Sequence, residues 1–129
     1  MTQEEKTLLL KDLCARLPYG VIVETYWEFE NKKEKTFPKT ILTYGMFGYY
    51  IGEDKWKYNT HFLPFLRPMS SMTEEEIKEF SVLGVGIHLF KGPLIPSYDT
   101  LDWLNKKMFD YRGLIEKGLA LEAPEGMYN

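Results

Sequence analysis

Two histidines, a single cysteine, four serines and a few carboxylates are the groups in this chain whose chemistry needs weighing. His61 and His88 each lie in a stretch that reads as extended. Neither has a second His, Cys or carboxylate at the i, i+4 spacing that lets one helix face hold a metal. Both are expected to be hydrogen-bonded structural histidines. No serine occupies a Gly-x-Ser-x-Gly elbow. Gly45-x-x-Gly48 and Gly84-x-Gly86 lack both the length of a phosphate loop and the Lys-Ser/Thr that follows one. The run Glu74-Glu75-Glu76 looks like an acid–base cluster, yet it follows Thr73 in a capping-box pattern, which makes it a solvated helix start. Cys14 falls on the apolar side of an expected helix with no His or basic neighbour, so it reads as a small buried hydrophobe and not as a nucleophile. Asp110 and Arg112 sit together among aromatic residues. The first fits a helix N-cap, the second a salt bridge or a stack on a ring. No catalytic, metal or cofactor constellation emerges.

The aromatic residues are more telling. They make up 16% of the chain, and Tyr26, Tyr44, Tyr49, Tyr50, Trp56 and Tyr58 interleave with Lys39, Lys55 and Lys57. Rings on a sheet with basic neighbours suit three roles: packing in the core, anchoring a partner protein, or stacking single-stranded nucleic acid. The candidate binding residues are Tyr26, Tyr49, Trp56, Tyr58, Lys55 and Lys57. Charge is uneven along the chain: residues 1–30 sum to −3, residues 31–67 to +4 and residues 68–129 to −4. An anionic partner would be welcome only in the middle third.

The elements that must carry these residues are readable from period and punctuation. Thr2-Gln3-Glu4-Glu5 is a capping box, and Leu9, Leu10, Leu13, Cys14 and Leu17 recur at helical spacing. Lys6, Lys11, Asp12 and Arg16 fall on the other side, giving a first helix of about residues 3–16 that Pro18 and Gly20 end. Residues 20–30 alternate with period two. Val21, Val23, Thr25, Trp27 and Phe29 form a buried face, opposite a mostly wet face through Glu24 and Tyr26. A polar connection over residues 31–35 leads to Pro38 and then to strand segments at 40–44, 48–51 and 56–59. The prolines at 64 and 68 exclude a helix over residues 62–68, whose apolar side chains are expected to insert beneath the sheet's end. A second capping box at Thr73 starts a helix running to about residues 81–83, with a short extra strand to follow over 86–90. Ser97 or Asp99 caps a third helix through Leu101, Leu104 and Met108. Asp110 opens a final short one with a Phe109–Leu114 staple, ended by Gly118.

The fold class expected is α+β. An N-terminal helix leads into an antiparallel meander of three to four strands, a partly closed barrel being its alternative form, and three short helices pack on the sheet. The 129 residues suit one domain, with residues 122–129 as a loose tail. Glu4 and Glu5 stand where a signal peptide carries lysines, and no apolar run approaches the roughly 18 residues that span a bilayer. A cytoplasmic protein without a membrane partner is expected.

The segments Leu66-Arg67-Pro68-Met69-Ser70-Ser71-Met72-Thr73-Glu74-Glu75-Glu76 and Phe109-Asp110-Tyr111-Arg112-Gly113-Leu114-Ile115-Glu116-Lys117-Gly118-Leu119-Ala120 resemble a group of small uncharacterised proteins of gut bacterial genomes, associated with phages and other mobile elements. The helix followed by Leu17-Pro18-Tyr19-Gly20 is similar to the start of the same group. The group places a histidine-rich pair just before its Phe-Asp-Tyr-Arg run, where this chain has Lys107-Met108. The resemblance therefore implies a source context and no chemistry. The function expected is a non-enzymatic protein-interaction module, an accessory of a mobile element. A nucleic-acid-binding accessory protein using residues 31–67 is the alternative.

Overall fold

The computed structural model describes residues 2–29, 32–52, 60–88 and 98–128, with side chains described for 2–26, 39–48, 62–81 and 99–128. Helix α1 (Gln3–Arg16) starts as its sequence requires. Thr2 Oγ1 accepts the Glu5 N–H at 3.1 Å, and Glu5 Oε1 accepts the Thr2 N–H at 2.9 Å. Its buried face keeps Leu9 and Leu13 of the expected stripe, with Leu10 and Leu17 partly buried beside them, but is shifted to take in Asp12 and Arg16. Cys14 is exposed, which corrects its assignment to the core. The shift is possible because Asp12 and Arg16 pair with each other and with groups near residue 110, so the charges are matched even though Arg16 Nη1 has no hydrogen-bond partner among the described residues.

The fold is α+β in class, and among the described residues the strands do not run in simple meander order; the short strand expected at 56–59 lies outside the described residues. Its strands are β1 (Ile22–Phe29), β2 (Lys32–Ile41), β3 (Thr60–Leu66) and β4 (Leu121–Glu122), in the order β2-β1-β3-β4. The first two junctions are antiparallel and β3–β4 is parallel, so the sheet is mixed and does not close into a barrel. Strand β2 starts at Lys32, opposite Phe29, leaving two residues between the strands where a five-residue connection was expected. Pro38 lies inside β2, beside one of two register shifts that place Thr25 opposite Phe37 and Tyr26 opposite Lys35. Bulges on an outer strand are where a sheet tolerates a residue without an N–H.

Pro64 raises the same question in β3. Leu66 gives its carbonyl to the Ala123 N–H at 2.8 Å, so Leu66 faces β4. Residues two apart face the same edge, hence Pro64 faces it too. But β4 pairs only with Phe65 and Leu66, and the missing N–H interrupts no ladder bond. Residues 62–68 are thus non-helical as expected, yet most of them form a strand beside β1. Phe62, Leu63 and Leu66 join Leu9, Leu13, Val21, Val23 and Leu42 in one core cluster.

Two further corrections concern helices. The strand segment expected at 48–51 and the end of the one expected at 40–44 instead belong to helix α2 (Tyr44–Gly52). Thr43 caps it: its Oγ1 accepts the Met46 N–H at 3.1 Å, and its carbonyl accepts the Phe47 N–H at 3.0 Å. Helix α3 (Glu74–His88) runs through both Gly84 and Gly86, over three residues of the strand expected at 86–90. Residues 89 and 90 lie outside the described residues.

Helix α4 (Tyr98–Lys106) ends in a Schellman motif. Phe109 N–H reaches the Leu104 carbonyl at 3.0 Å and Met108 N–H the Asn105 carbonyl at 3.1 Å, with Met108 in the left-handed region at φ 63°. A methionine there is strained by roughly 1–2 kcal/mol. Its side chain is nevertheless buried in the core cluster, which is what holds it. The final helix expected at Asp110 is instead a series of turns. One helical turn closes there, with Leu119 N–H on the Leu114 carbonyl at 2.9 Å and Gly118 N–H on Ile115 at 3.1 Å. Gly118, at φ 74°, takes the C′ role its sequence position predicts.

Two residues within the segment 122–129 bond to the sheet: Ala123 N–H to the Leu66 carbonyl, and Tyr128 through its hydroxyl. Strands β1 and β3 pair from Trp27↔Thr60 to Val23↔Pro64. One step further along, the Tyr128 hydroxyl bridges them, accepting from the Ile22 N–H at 3.0 Å and donating to the Phe65 carbonyl at 2.7 Å. Burial pushes this phenol up to about 12.

Candidate functional site

Asp110 and Arg112 lie in a polar hub that joins α1, β3, α4 and the turns after it. Arg112 Nη1 donates to Asp12 Oδ1 at 2.6 Å, while Arg16 Nε donates to Asp12 Oδ2 at 2.9 Å. Arg16 Nη2 reaches the Phe109 carbonyl at 2.7 Å. The Tyr111 ring lies 4.6 Å from the Arg112 guanidinium and 5.4 Å from that of Arg16, and its hydroxyl donates to Asn105 Oδ1 at 2.9 Å. Asp110 accepts the Leu114 and Ile115 N–H groups at 2.8 and 3.0 Å, gathering the turn around its carboxylate. This differs from an N-cap, which serves the second or third N–H of a helix.

Arg67 forms the outer part of the hub. Its backbone pairs with residues 108–110, through Arg67 N–H to the Met108 carbonyl at 2.7 Å and Asp110 N–H to the Arg67 carbonyl at 2.8 Å. Its guanidinium grips both Glu76 oxygens at 2.7 and 2.8 Å and lies 4.2 Å from the Phe109 ring centroid. Trp103 stacks on Phe109 at 5.6 Å and donates its indole N–H to Glu79 at 2.9 Å. The Arg67 side chain beside Glu76 pulls that carboxyl down to about 2, aided by the Thr73 N–H. Each of these carboxylates already has partners. The hub's geometry is that of a brace.

A second region has the opposite character. Where β2 passes into α2, Ile41 is 57% exposed and Tyr44 is 68% exposed, beside exposed Gly45 and Gly48. Leu42 turns inward, held by its N–H on the Val21 carbonyl at 2.9 Å, and half-buried Met46 and Phe47 pack on the core. A Cβ added at Gly45 or Gly48 would meet nothing within 4 Å. No charged residue occurs from Leu42 to Gly52, and the exposed Lys39 stands just before this corner, 5.4 Å from the Phe65 ring.

Of the candidate binding residues, Tyr26 is half-buried in β1 and hydrogen-bonds Glu24, whose burial beside it corrects the wet face expected there. That burial and the neighbouring carboxylate push the Tyr26 phenol up to about 12. Tyr49 lies on α2, not on a strand, and its side chain is outside the described ones. Lys55, Trp56, Lys57 and Tyr58 lie outside the described residues, as do the side chains of His61 and His88. Sequence reasoning missed Ile41 and the helical setting of Tyr44. The available signal was Thr43, a good N-cap directly before an apolar run. Among the described residues, no group of three or more His, Cys, Asp or Glu could hold a metal ion, and no helix is long and apolar enough to cross a membrane. No family model matches the chain, and comparison with curated proteins and with solved structures finds no match either.

Proposed function

We propose that this protein is a non-enzymatic interaction module, an accessory of a mobile element, that binds another protein through the corner formed by the end of β2 and helix α2. The observation that carries this reading is the exposure of Ile41 and Tyr44 beside a helix with no charge along its nine residues. Large apolar and aromatic side chains left in water, with few charges near them, have the composition of interface centres. The two glycines support the same reading. Glycine in a helix interior costs roughly 1 kcal/mol relative to alanine, and among the described residues nothing requires its smallness here. A partner that approaches the helix backbone closely would require it.

The competing reading, nucleic-acid binding by residues 31–67, draws on their net charge of +4. It is weakened because Arg67 is already committed to Glu76. Affinity capture with and without nuclease separates the two. A partner that survives nuclease and is lost with Tyr44→Glu supports the protein-binding module. Loss on nuclease treatment, with a steep fall of affinity in salt, supports nucleic acid. The aromatic residues 56 and 58 enter the same assay as Trp56→Ala and Tyr58→Ala, and unchanged capture by both removes them from the surface.

A further inference from the structure

We propose that the cleft between the 3-10 turn Met69–Ser71 and the C-terminal segment takes the lysine or arginine side chain of a partner protein. The cleft encloses about 410 Å³, with Arg67, Pro68, Ser71 and Thr73 on one wall and residues 122–128 on the other. That volume falls in the range of sites that hold small organic groups, roughly 300–1,000 Å³. Both walls are built. The first is fixed by Arg67, which holds Glu76 and the Ser71 carbonyl, and by the Thr73–Glu76 capping box. The second is fixed by β4, by the Ala123–Leu66 bond and by the Tyr128 hydroxyl.

The charges of the lining select the occupant. Arg67, the cation in the cleft, is neutralised by Glu76. The side chains of Glu122 and Glu125 across from it have no hydrogen bond or ion pair among the described residues. An anion would meet these two carboxylates with no free cation to hold it. A metal would need a third ligand, and no such group exists among the described residues. An ammonium or guanidinium on an apolar stem satisfies the whole lining: the carboxylates take the charge, while Pro68, Pro124 and Met127 cover the methylenes. The −4 balance of residues 68–129 favours its approach. This surface is separate from the α2 corner, so the two stand or fall independently.

The test is a titration of the ¹⁵N-labelled protein with acetyl-Gly-Arg-Gly-amide and with its neutral isostere, acetyl-Gly-citrulline-Gly-amide. The arginine peptide should move the amide resonances of Ser71, Ala123 and Gly126, and the citrulline peptide should leave them in place. Glu122→Gln with Glu125→Gln should weaken arginine binding roughly tenfold, at an unchanged melting temperature, because both residues are exposed. The proposal is overturned if neither peptide moves the cleft resonances, if citrulline binds as well as arginine, or if the double variant binds as tightly as the parent.

Discussion

The hub around residues 105–119 and the corner at residues 41–48 handle exposure in opposite ways. The hub buries charge: Asp12 and Arg16 are fully covered and Arg112 nearly so, and all three are joined. The corner exposes apolar surface and carries no charge after Lys39. Buried ionic groups cost desolvation, and they persist where the geometry satisfies them. Exposed rings and bare helix glycines contribute little to the isolated fold, and they persist where something else uses them. The difference fits a hub that holds the protein together and is the basis for proposing the corner as a docking surface.

The sharpest way to break this contrast is to remove the hub's shared anion. Asp12→Ala leaves two guanidiniums without their carboxylate, and is expected to cost about 3–5 kcal/mol in urea unfolding. Ile41→Glu or Tyr44→Glu should change stability by no more than about 0.5 kcal/mol. A cost for Asp12→Ala no larger than theirs would erase the distinction.

Glu76→Gln is the next largest, at about 1.5–3 kcal/mol, since it removes a charge-assisted pair with Arg67. Its sign with pH follows from the lowered carboxyl. The folded protein holds the proton less tightly than the unfolded chain, so the stabilisation is present above the ordinary 4.5 and is lost as pH falls towards about 2. In the Gln variant the acid limb over that window should flatten.

Tyr128→Phe tests whether the C-terminal residues belong to the hub's side of the comparison. It leaves the Ile22 N–H and the Phe65 carbonyl without the hydroxyl between them, at a cost of about 1–3 kcal/mol. The raised phenol means that the folded state keeps its proton longer. The stabilisation is therefore complete below pH 10.0 and fades as pH rises to about 12. A Phe variant with an unaltered alkaline limb would show that the hydroxyl does not close the sheet's end.

One further effect has the opposite sign. Gly48→Ala should stabilise by about 0.8–1 kcal/mol, because the new methyl meets no atom within 4 Å and the helix gains propensity. If the corner is a docking surface, the same substitution weakens partner capture while raising the melting temperature.

The two regions also differ in how much of them could be read in advance. Helix α1 was legible to the residue, because a capping box and a 3.6-residue period agree. The burial of Asp12 and Arg16 was not, since an i, i+4 ion pair has the same spacing whether water or protein surrounds it. The Gly118 motif was legible from its position, whereas the helix expected at Asp110 was not formed. Gly113, at φ 70°, breaks the first turn, and the Asp110 carboxylate gathers N–H groups four and five residues on. Helix α2 was hidden by its tyrosines and glycines, which favour strand and turn. The Thr43 cap and the packing of Met46 and Phe47 on the core override them. Of the candidate site, the strand position of Tyr26 was readable; its bond to buried Glu24 depends on what covers the sheet there, which no local pattern records.

The central claim is that the exposed Ile41 and Tyr44 of the α2 corner bind a protein and contribute little to the fold. Nuclease-treated affinity capture with the parent chain and with the Ile41→Glu, Tyr44→Glu double variant, each checked for an unchanged melting temperature, tests it most directly. The account predicts a partner retained by the parent and lost by the variant. Equal retention by both, or loss from the parent on nuclease treatment, would contradict it.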